Sequence, residues 1–513
     1  MTIKHNLAIL NADAYKFSHH ALYPKDTEFV YEVLIPRKNM YFKDTKGKPY
    51  GNEMVHFGAN ITFQLIKEDF QEHFFDYEWS DVEETIIHVL KNTLSTSDIE
   101  RFKNLHQLGY LPIKVHSLPE GVLVPMGTPV MTIENTLKDF FWLPGFLETY
   151  ILATYFTTST ASSYAYQYKK LSEKYAKLTC DNNLHVPYQF HNFSMRGNHG
   201  VQASNLTGIA HLTSFVGSDT MSAALFAEKY ANANLKDGET LASVIASEHS
   251  VAEAYGRDNE FEYFKSLIEQ NPTGILSLVA DTYDYWQVIN DFMPKLKDQI
   301  MTRNGKVVLR PDSTDTTIPI LLTKTVETLW DIFGGTVNKK GYKVLDEHIG
   351  VLYGDAFSLE MAKEVFDMLE ASGFASSNVV AGIGAYTLSV QVTRDTFSQA
   401  IKAQSVIRSG KEMEVFKDPK TAPDKKSLKG RVAVIINEEK KVEVIDSLNL
   451  KSFYVDKYNQ SIVSKNNTIH YNYLESIFED GSFDESPITY SLKEIRHLIN
   501  WQIHEDLNNE DLK

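Results

Sequence analysis

Cysteine is nearly missing from this chain. Its one occurrence in 513 residues, Cys180, excludes an intramolecular disulfide framework and any zinc site built on several thiolates. A reducing, cytoplasmic setting is the expectation that follows. Long apolar runs are missing too. The most hydrophobic stretch, 140–156, is interrupted by Pro144, Gly145 and Glu148; it falls short of a membrane span and suits a buried helix. The apolar run at 7–10 is too short for the core of a secretory signal. Positive charge is in deficit, with 51 Lys and Arg against 67 Asp and Glu and a net charge of −16. No basic stripe or arginine-rich arm offsets it, which argues against a nucleic-acid partner. A small anion is still compatible, because a few local arginines outweigh a distant negative average. Internal repeats and low-complexity tracts are absent as well.

What is present is enough apolar material for a large core: 43% hydrophobic and 12% aromatic residues. Between 188 and 384 the chain shows seven short β-rich runs, at 188–194, 214–219, 242–249, 274–281, 306–312, 349–355 and 378–384. Each ends in glycine or a polar residue, and most lead into a helix-like segment. A strand buried on both faces carries its ionisable group only where the sheet stops, as in Ile275-Leu276-Ser277-Leu278-Val279-Ala280-Asp281. Parallel alignment then gathers all seven ends on one face. The helix after 355 has a candidate N-cap in Ser358, an apolar face at Met361, Val365, Met368 and Leu369, and Gly373 for its C′ position.

The pattern predicts an α/β chain: an incomplete (β/α) barrel of about seven strands over 156–390. A single barrel takes roughly 250 residues, so the remainder is assigned to a discontinuous α+β domain formed by 1–155 and 391–513. Two runs support it. Residues 111–134 alternate between turns at Pro119-Glu120-Gly121 and Pro125-Met126-Gly127, and 431–436 with 441–445 flank a hairpin turn at Asn437-Glu438-Glu439-Lys440. The acidic end, 505–513, reads as a frayed tail.

The strand ends carry the chemistry. His249 ends the run 242–249, and Ser250 with Glu253 forms an S-x-x-E signature that predicts a capping box with His249 just before it. An imidazole there changes protonation near neutral pH, although any one of 17 histidines is more commonly a surface or capping group. Arg310 and Asp312 stand just beyond an apolar strand, suited to phosphate and to a metal ion or ribose hydroxyls; a structural ion pair is the plain alternative. Gly354-Asp355 and Gly382-Ile383-Gly384 offer close backbone approach to phosphate oxygens. Asp281 fits a magnesium or ribose ligand, or a helix cap. His191-Asn192-Phe193-Ser194-Met195-Arg196-Gly197 and Gly217-Ser218-Asp219-Thr220 add an aromatic face, a cation and an acceptor, the parts needed to hold a planar carboxamide. The residues alone reach an anionic sugar plus a polar ring.

With Asp13-Ala14-Tyr15-Lys16, Phe193-Ser194-Met195-Arg196-Gly197, Gly217-Ser218-Asp219-Thr220, Ala246-Ser247-Glu248-His249-Ser250, Asp281-Thr282-Tyr283-Asp284 and Arg310-Pro311-Asp312-Ser313 in order, followed by Thr393-Arg394-Asp395 and Phe416-Lys417-Asp418-Pro419, the chain resembles the nicotinamide phosphoribosyltransferases, type II phosphoribosyltransferases, through nearly its whole length. The resemblance implies transfer of phosphoribosyl from phosphoribosyl pyrophosphate to nicotinamide, in a homodimer with shared active sites. It implies that Phe193, with Tyr15 of the neighbouring subunit, sandwiches the pyridine ring, that Arg196 and Asp219 bind the amide, and that Ser277 also contacts substrate. Arg310 and the backbone near Gly384 are implied at the 5′-phosphate and Asp355 at the ribose. Asp281 and Asp312 are implied to hold Mg2+ and sugar, and Arg37, Arg394 and Lys402 to reach the phosphates from the partner chain. His249 is implied to be phosphorylated by ATP, as a coupled co-substrate. Two departures stand out: Ala385-Tyr386 in a loop richer in glycine in vertebrate members, and Ile245 where a proline is expected. The competing expectations are a nicotinate phosphoribosyltransferase, against which Asp219 speaks by charge, and a catalytically silent binding protein of the same fold.

Overall fold

A computed structural model describes residues 3–354, 357–421, 427–436, 442–445, 454–455, 461–463, 469–483 and 491–511. The chain divides into two compact units, one of residues 1–43, 48–160 and 393–491, the other of 44–47, 161–392 and 492–513.

In the second unit the β-rich runs form one parallel sheet. Its strands lie in the order Phe190–Asn192, Val379–Ile383, Ile349–Tyr353, Val307–Arg310, Leu276–Val279, Ile245–Ala246. Their interiors are apolar and mostly buried, because helices cover the outside of a curled parallel sheet. The expected barrel is therefore present, with one correction. The run at 214–219 makes no regular strand and pairs only through isolated parallel bridges, Asn192 with Ser218 and Gly217 with Ala242. Its apolar part is just Phe215 and Val216, too short to sustain a ladder. The bridges nevertheless join both edges of the sheet: the Asn192 amide donates to Gly217 O at 3.2 Å and the Ser218 amide to Ala242 O at 3.0 Å.

The helix expected after 355 spans Leu359–Ala371. Ser358 caps it by accepting the Met361 amide at 3.2 Å, and Gly373 takes a φ of +77° behind it. The carboxyl-terminal segment corrects another expectation. Residues 505–511 are not a frayed tail but the last turns of the helix Leu492–Asp511. Ile495, Ile499, Ile503 and Leu507, four apart, are all buried. Asp506 accepts from Tyr166 Oη at 2.8 Å and pairs with Lys170 at 3.1 Å.

The first unit is built on a seven-stranded antiparallel sheet. Within it the strand Thr27–Pro36 pairs with Gln399–Arg408 on one side and Met131–Asn135 on the other. The run at 111–134 gives Ile113–Ser117, Leu123–Pro125 and most of Met131–Asn135, with Gly121 and Gly127 at φ of +89° and +91° in the turns between them. Ala433–Ile436 and Val442–Ile445 pair antiparallel as expected; the turn at 437–440 lies outside the described residues. The stretch 140–156 opens the helix Leu143–Thr179. Among the described residues no helix is long and apolar enough to cross a membrane.

Candidate active site

A cavity of about 1070 Å³ opens at the carboxyl ends of the parallel strands in the second unit, where barrels of this kind display chemistry rather than packing. Six of the residues singled out from the sequence line it: Phe193, Arg196, Asp219, Arg310, Asp312 and Gly384. Gly354 and Ala385 join them, as do Met195, Thr220, Ser247 and Glu248.

One end of the cavity is flat and has a fixed acceptor. His191 lies on the strand Phe190–Asn192 and Phe193 just past its end, and their ring centroids are 4.7 Å apart. The Phe193 amide donates to Ile383 O at 2.9 Å, and a Cβ on Gly382 would lie 2.4 Å from the Phe193 ring. Glycine at 382 is what lets the ring settle there. Asp219 Oδ1 accepts from His191 Nε2 at 2.9 Å and from Ser243 Oγ. Partial burial pushes the Asp219 carboxyl up, but those two hydrogen bonds and the charges of His191 and Arg310 outweigh it and hold the group below the ordinary carboxylate range. Arg196 is exposed on the turn Met195–Gly197, and a Cβ on Gly197 would meet the Ala385 methyl at 2.3 Å.

The other end gathers charge. Arg310 Nε lies 3.3 Å from Asp312 Oδ1, and a Cβ on Gly354 would lie 2.1 Å from the same oxygen. Asp281 has a side chain only 4% exposed. Its Oδ2 accepts the Asp312 amide at 3.0 Å and the Ser313 hydroxyl, while Oδ1 is buried and has no hydrogen-bond partner among the described residues. His249 Nδ1 is 3.1 Å from Thr282 Oγ1, and Nε2 lies 3.8 Å from Asp281 and 3.7 Å from Asp312. The expected capping box does not form. His249 is the first residue of the helix His249–Tyr255, Glu248 is the N-cap in an extended conformation, and Ser250 bonds back to the Glu248 carboxylate. The reason is register: the helix begins two residues earlier than the S-x-x-E signature demands.

Ser277 lies on the strand Leu276–Val279; its hydroxyl is buried and has no hydrogen-bond partner among the described residues, and its carbonyl accepts the Ser247 amide at 2.9 Å. Asp355 lies outside the described residues. Tyr15, Arg37, Arg394 and Lys402 belong to the first unit. Tyr15 is exposed, Arg37 binds Ser398 O at 3.0 Å, Arg394 pairs with Asp395, and Lys402 Nζ donates to Ile401 O at 2.8 Å and stands 3.7 Å from Glu148. Among the described residues there is no group of three or more His, Cys, Asp and Glu able to hold a metal ion. A magnesium ion that keeps its waters and takes one or two carboxylates is consistent with that count.

Sequence reasoning passed over His191, Ser243 and Thr282 as individual groups. A signal existed for His191, two residues before Phe193 on a predicted strand. None existed for Ser243 or Thr282, whose roles depend on which strands are neighbours.

The sheet and its strand-end cavity define a (β/α)-barrel enzyme. The model of the nicotinate phosphoribosyltransferase (NAPRTase) family matches residues 188–480. A nicotinamide phosphoribosyltransferase of Acinetobacter baylyi is 40% identical over 455 residues, 83% of this chain and 88% of that protein. Among solved structures, a nicotinate-nucleotide pyrophosphorylase from Pyrococcus furiosus aligns with a TM-score of 0.58 at 15% identity, covering 98% of this chain and 97% of that one. Human nicotinic acid phosphoribosyltransferase aligns with a TM-score of 0.55 at 15% identity, covering 95% and 93%. The chain belongs to the nicotinate phosphoribosyltransferase family.

Proposed function

We propose that the protein transfers phosphoribosyl from phosphoribosyl pyrophosphate to the ring nitrogen of nicotinamide, giving nicotinamide mononucleotide and pyrophosphate in NAD salvage. The observation that carries this reading is Asp219: a carboxylate held ionised, lining the cavity beside Phe193. An ionised acceptor receives the NH2 of nicotinamide and repels the carboxylate of nicotinate. The 40% identity to a nicotinamide phosphoribosyltransferase supports it.

In this reading Phe193 faces the pyridine ring, with Tyr15 of a second copy on the other side. Arg196 takes the amide oxygen, and Ser277 backs the base. Arg310 and the amides near Gly384 take the 5′-phosphate and Asp355 the ribose. The bond from C1′ to pyrophosphate oxygen breaks with its electron pair leaving on pyrophosphate, and the ring nitrogen forms the new bond to C1′. Stabilising the departing charge is the main catalytic task. Asp281 and Asp312 would hold Mg2+, and the bare Oδ1 of Asp281 fits that role; the ion, when bound, neutralises charge on pyrophosphate. Arg37, Arg394 and Lys402 act from the partner chain of a homodimer. His249 Nε2 attacks the γ-phosphorus of ATP as the bond to ADP breaks, and water then cleaves the N–P bond of the phosphohistidine to release phosphate, coupling hydrolysis to synthesis.

The second reading, nicotinate as substrate, draws on the name of the family model and is opposed by the charge of Asp219. A binding protein without activity is opposed by the retained Arg196, Asp219, His249, Asp281, Arg310 and Asp312. The test is a product assay with Mg2+, phosphoribosyl pyrophosphate and each base in turn. Nicotinamide is expected to be turned over far faster than nicotinate. Equal turnover removes the role of Asp219, and no nucleotide from either base removes the proposal.

A further inference from the structure

His191 takes no part in the chemistry just described, yet it touches two of the groups that would recognise the base, Asp219 and Phe193. Its side chain is largely buried. Its Nε2 is 2.9 Å from Asp219 Oδ1; an ionised carboxylate only accepts, so Nε2 carries the proton. Ser243 Oγ reaches the same oxygen. Two donors thus converge on Oδ1, and among the described residues none donates to Oδ2. A carboxylate rotates about a broad two-fold torsion, so an unclamped Asp219 presents either oxygen at a range of angles, whereas this one presents Oδ2.

The ring is held from two more sides. It leans on Phe193, with centroids 4.7 Å apart. On the other side a Cβ on Gly217 would lie 2.8 Å from Nδ1, so glycine at 217 makes the space the imidazole fills. Residues 216–218 pair with the sheet through isolated bridges, and the bond from His191 to Asp219 adds a side-chain tie between that segment and the regular strand Phe190–Asn192.

We propose that His191 is a positioning residue that sets base selectivity, fixing with Ser243 which oxygen of Asp219 is offered to the base and backing the ring of Phe193. The inference rests on the proposed phosphoribosyl transfer to nicotinamide. It concerns selectivity rather than catalysis. Removing the clamp deprives nicotinamide of an oriented acceptor, and it lets the carboxylate turn away from, or take up a proton beside, nicotinate.

The experiment compares kcat and KM for nicotinamide and nicotinate in full-length parent, His191→Leu, His191→Gln and Ser243→Ala. In His191→Leu the KM for nicotinamide is expected to rise, and the nicotinamide-to-nicotinate ratio of kcat/KM to fall, by about tenfold, the loss of one charge-assisted hydrogen bond. The KM for phosphoribosyl pyrophosphate is expected to stay within about twofold. His191→Gln keeps an N–H able to reach the same oxygen and is expected to recover most of the selectivity. Ser243 is exposed, so Ser243→Ala folds and is expected to lower the ratio in the same direction.

A parent-like ratio in His191→Leu, or a fall in kcat equal for both bases, overturns the inference. If His191→Leu does not fold, Ser243→Ala and Gly217→Ala, whose methyl presses on the imidazole, decide it: unchanged ratios in both overturn it. A parent that makes no nucleotide from nicotinamide fails the functional proposal itself, a result distinct from a selective parent whose variants stay equally selective.

Discussion

His249 Nε2 stands 3.7 Å from Asp312 Oδ2, beyond hydrogen-bond reach, while its Nδ1 is engaged by Thr282 at 3.1 Å. One ring nitrogen is thus oriented and the other left open among carboxylates, with the side chain 42% exposed. A nucleophile for a phosphoryl group needs that combination, together with a cation to offset the acidic surroundings. In the proposed mechanism the transfer itself does not use the imidazole. ATP is expected to lower the KM for nicotinamide in the parent. His249→Ala is expected to abolish ATP hydrolysis and leave slow ATP-independent synthesis. Coupled hydrolysis persisting in His249→Ala, or no acid-labile phosphoenzyme in the parent, removes the phosphohistidine.

Gly354 offers a sharper steric test of the anion end. Its missing side chain leaves room for Asp312, whose Oδ1 would lie 2.1 Å from a Cβ, with Arg310 Cδ 3.2 Å away. Gly354→Ala must turn the carboxylate and disturb the Arg310–Asp312 pair. With roughly 1–3 kcal/mol at stake for a displaced charged partner, kcat/KM for phosphoribosyl pyrophosphate is expected to fall about fivefold or more with little change in melting temperature. Parent-like kinetics removes Asp312 from the sugar and metal site.

The ends of the strands were readable because burial forces polar residues to where a sheet stops; Asp281, Arg310 and Gly384 were found that way. The cap at Ser358 was readable for an equally local reason, since the hydroxyl and the amide it accepts are three residues apart. Register was harder. Ser250 is the cap the local signature offers, yet the helix starts with Glu248 as its N-cap, next to Ser247, whose amide is bound to Ser277 O of the neighbouring strand. The run at 214–219 was read as a strand, yet its apolar part is only Phe215 and Val216, which leaves it with bridges alone. The final helix was misread by composition: acidic residues suggested a solvated tail, although isoleucine or leucine recurs every four residues from 495 to 507. Across-sheet partners such as Ser243 for Asp219 depend on topology, which no local pattern states.

Glu32 gives a pH dependence in the first unit. Burial, then the nearby charge of Glu148, pushes its carboxyl up to about 7, against the opposing charges of Lys16 and Lys402. The folded chain therefore holds a proton that the unfolded chain releases above its ordinary value, so stability falls as pH rises from about 4.5 to about 7 and levels off beyond. Gln reproduces the neutral form. Glu32→Gln is expected to flatten that slope and to stabilise the protein at pH 8, by something on the order of 1–3 kcal/mol. Melting temperatures across pH 4.5 to 8 measure it; parallel curves for parent and variant place Glu32 in the ionised state throughout.

Shared sites make a prediction that no single-chain reading makes. Arg310 lines the cavity of the second unit, and Arg394 lies in the first; the proposed homodimer takes the former from one copy and the latter from its partner. Arg310→Ala and Arg394→Ala homodimers are then each inactive or nearly so, because every site carries one lesion. In a heterodimer of the two, one site receives both lesions and the other receives neither. Mixing the variants under conditions that exchange subunits is expected to restore activity, approaching one quarter of the parent's per chain when exchange is random, since half the dimers are mixed and half their sites are intact. Subunit exchange is verified by differently tagged chains purified in tandem. Confirmed heterodimers without recovery require both arginines to serve the same copy, and the assignment of Arg394 to the partner's site falls with that result.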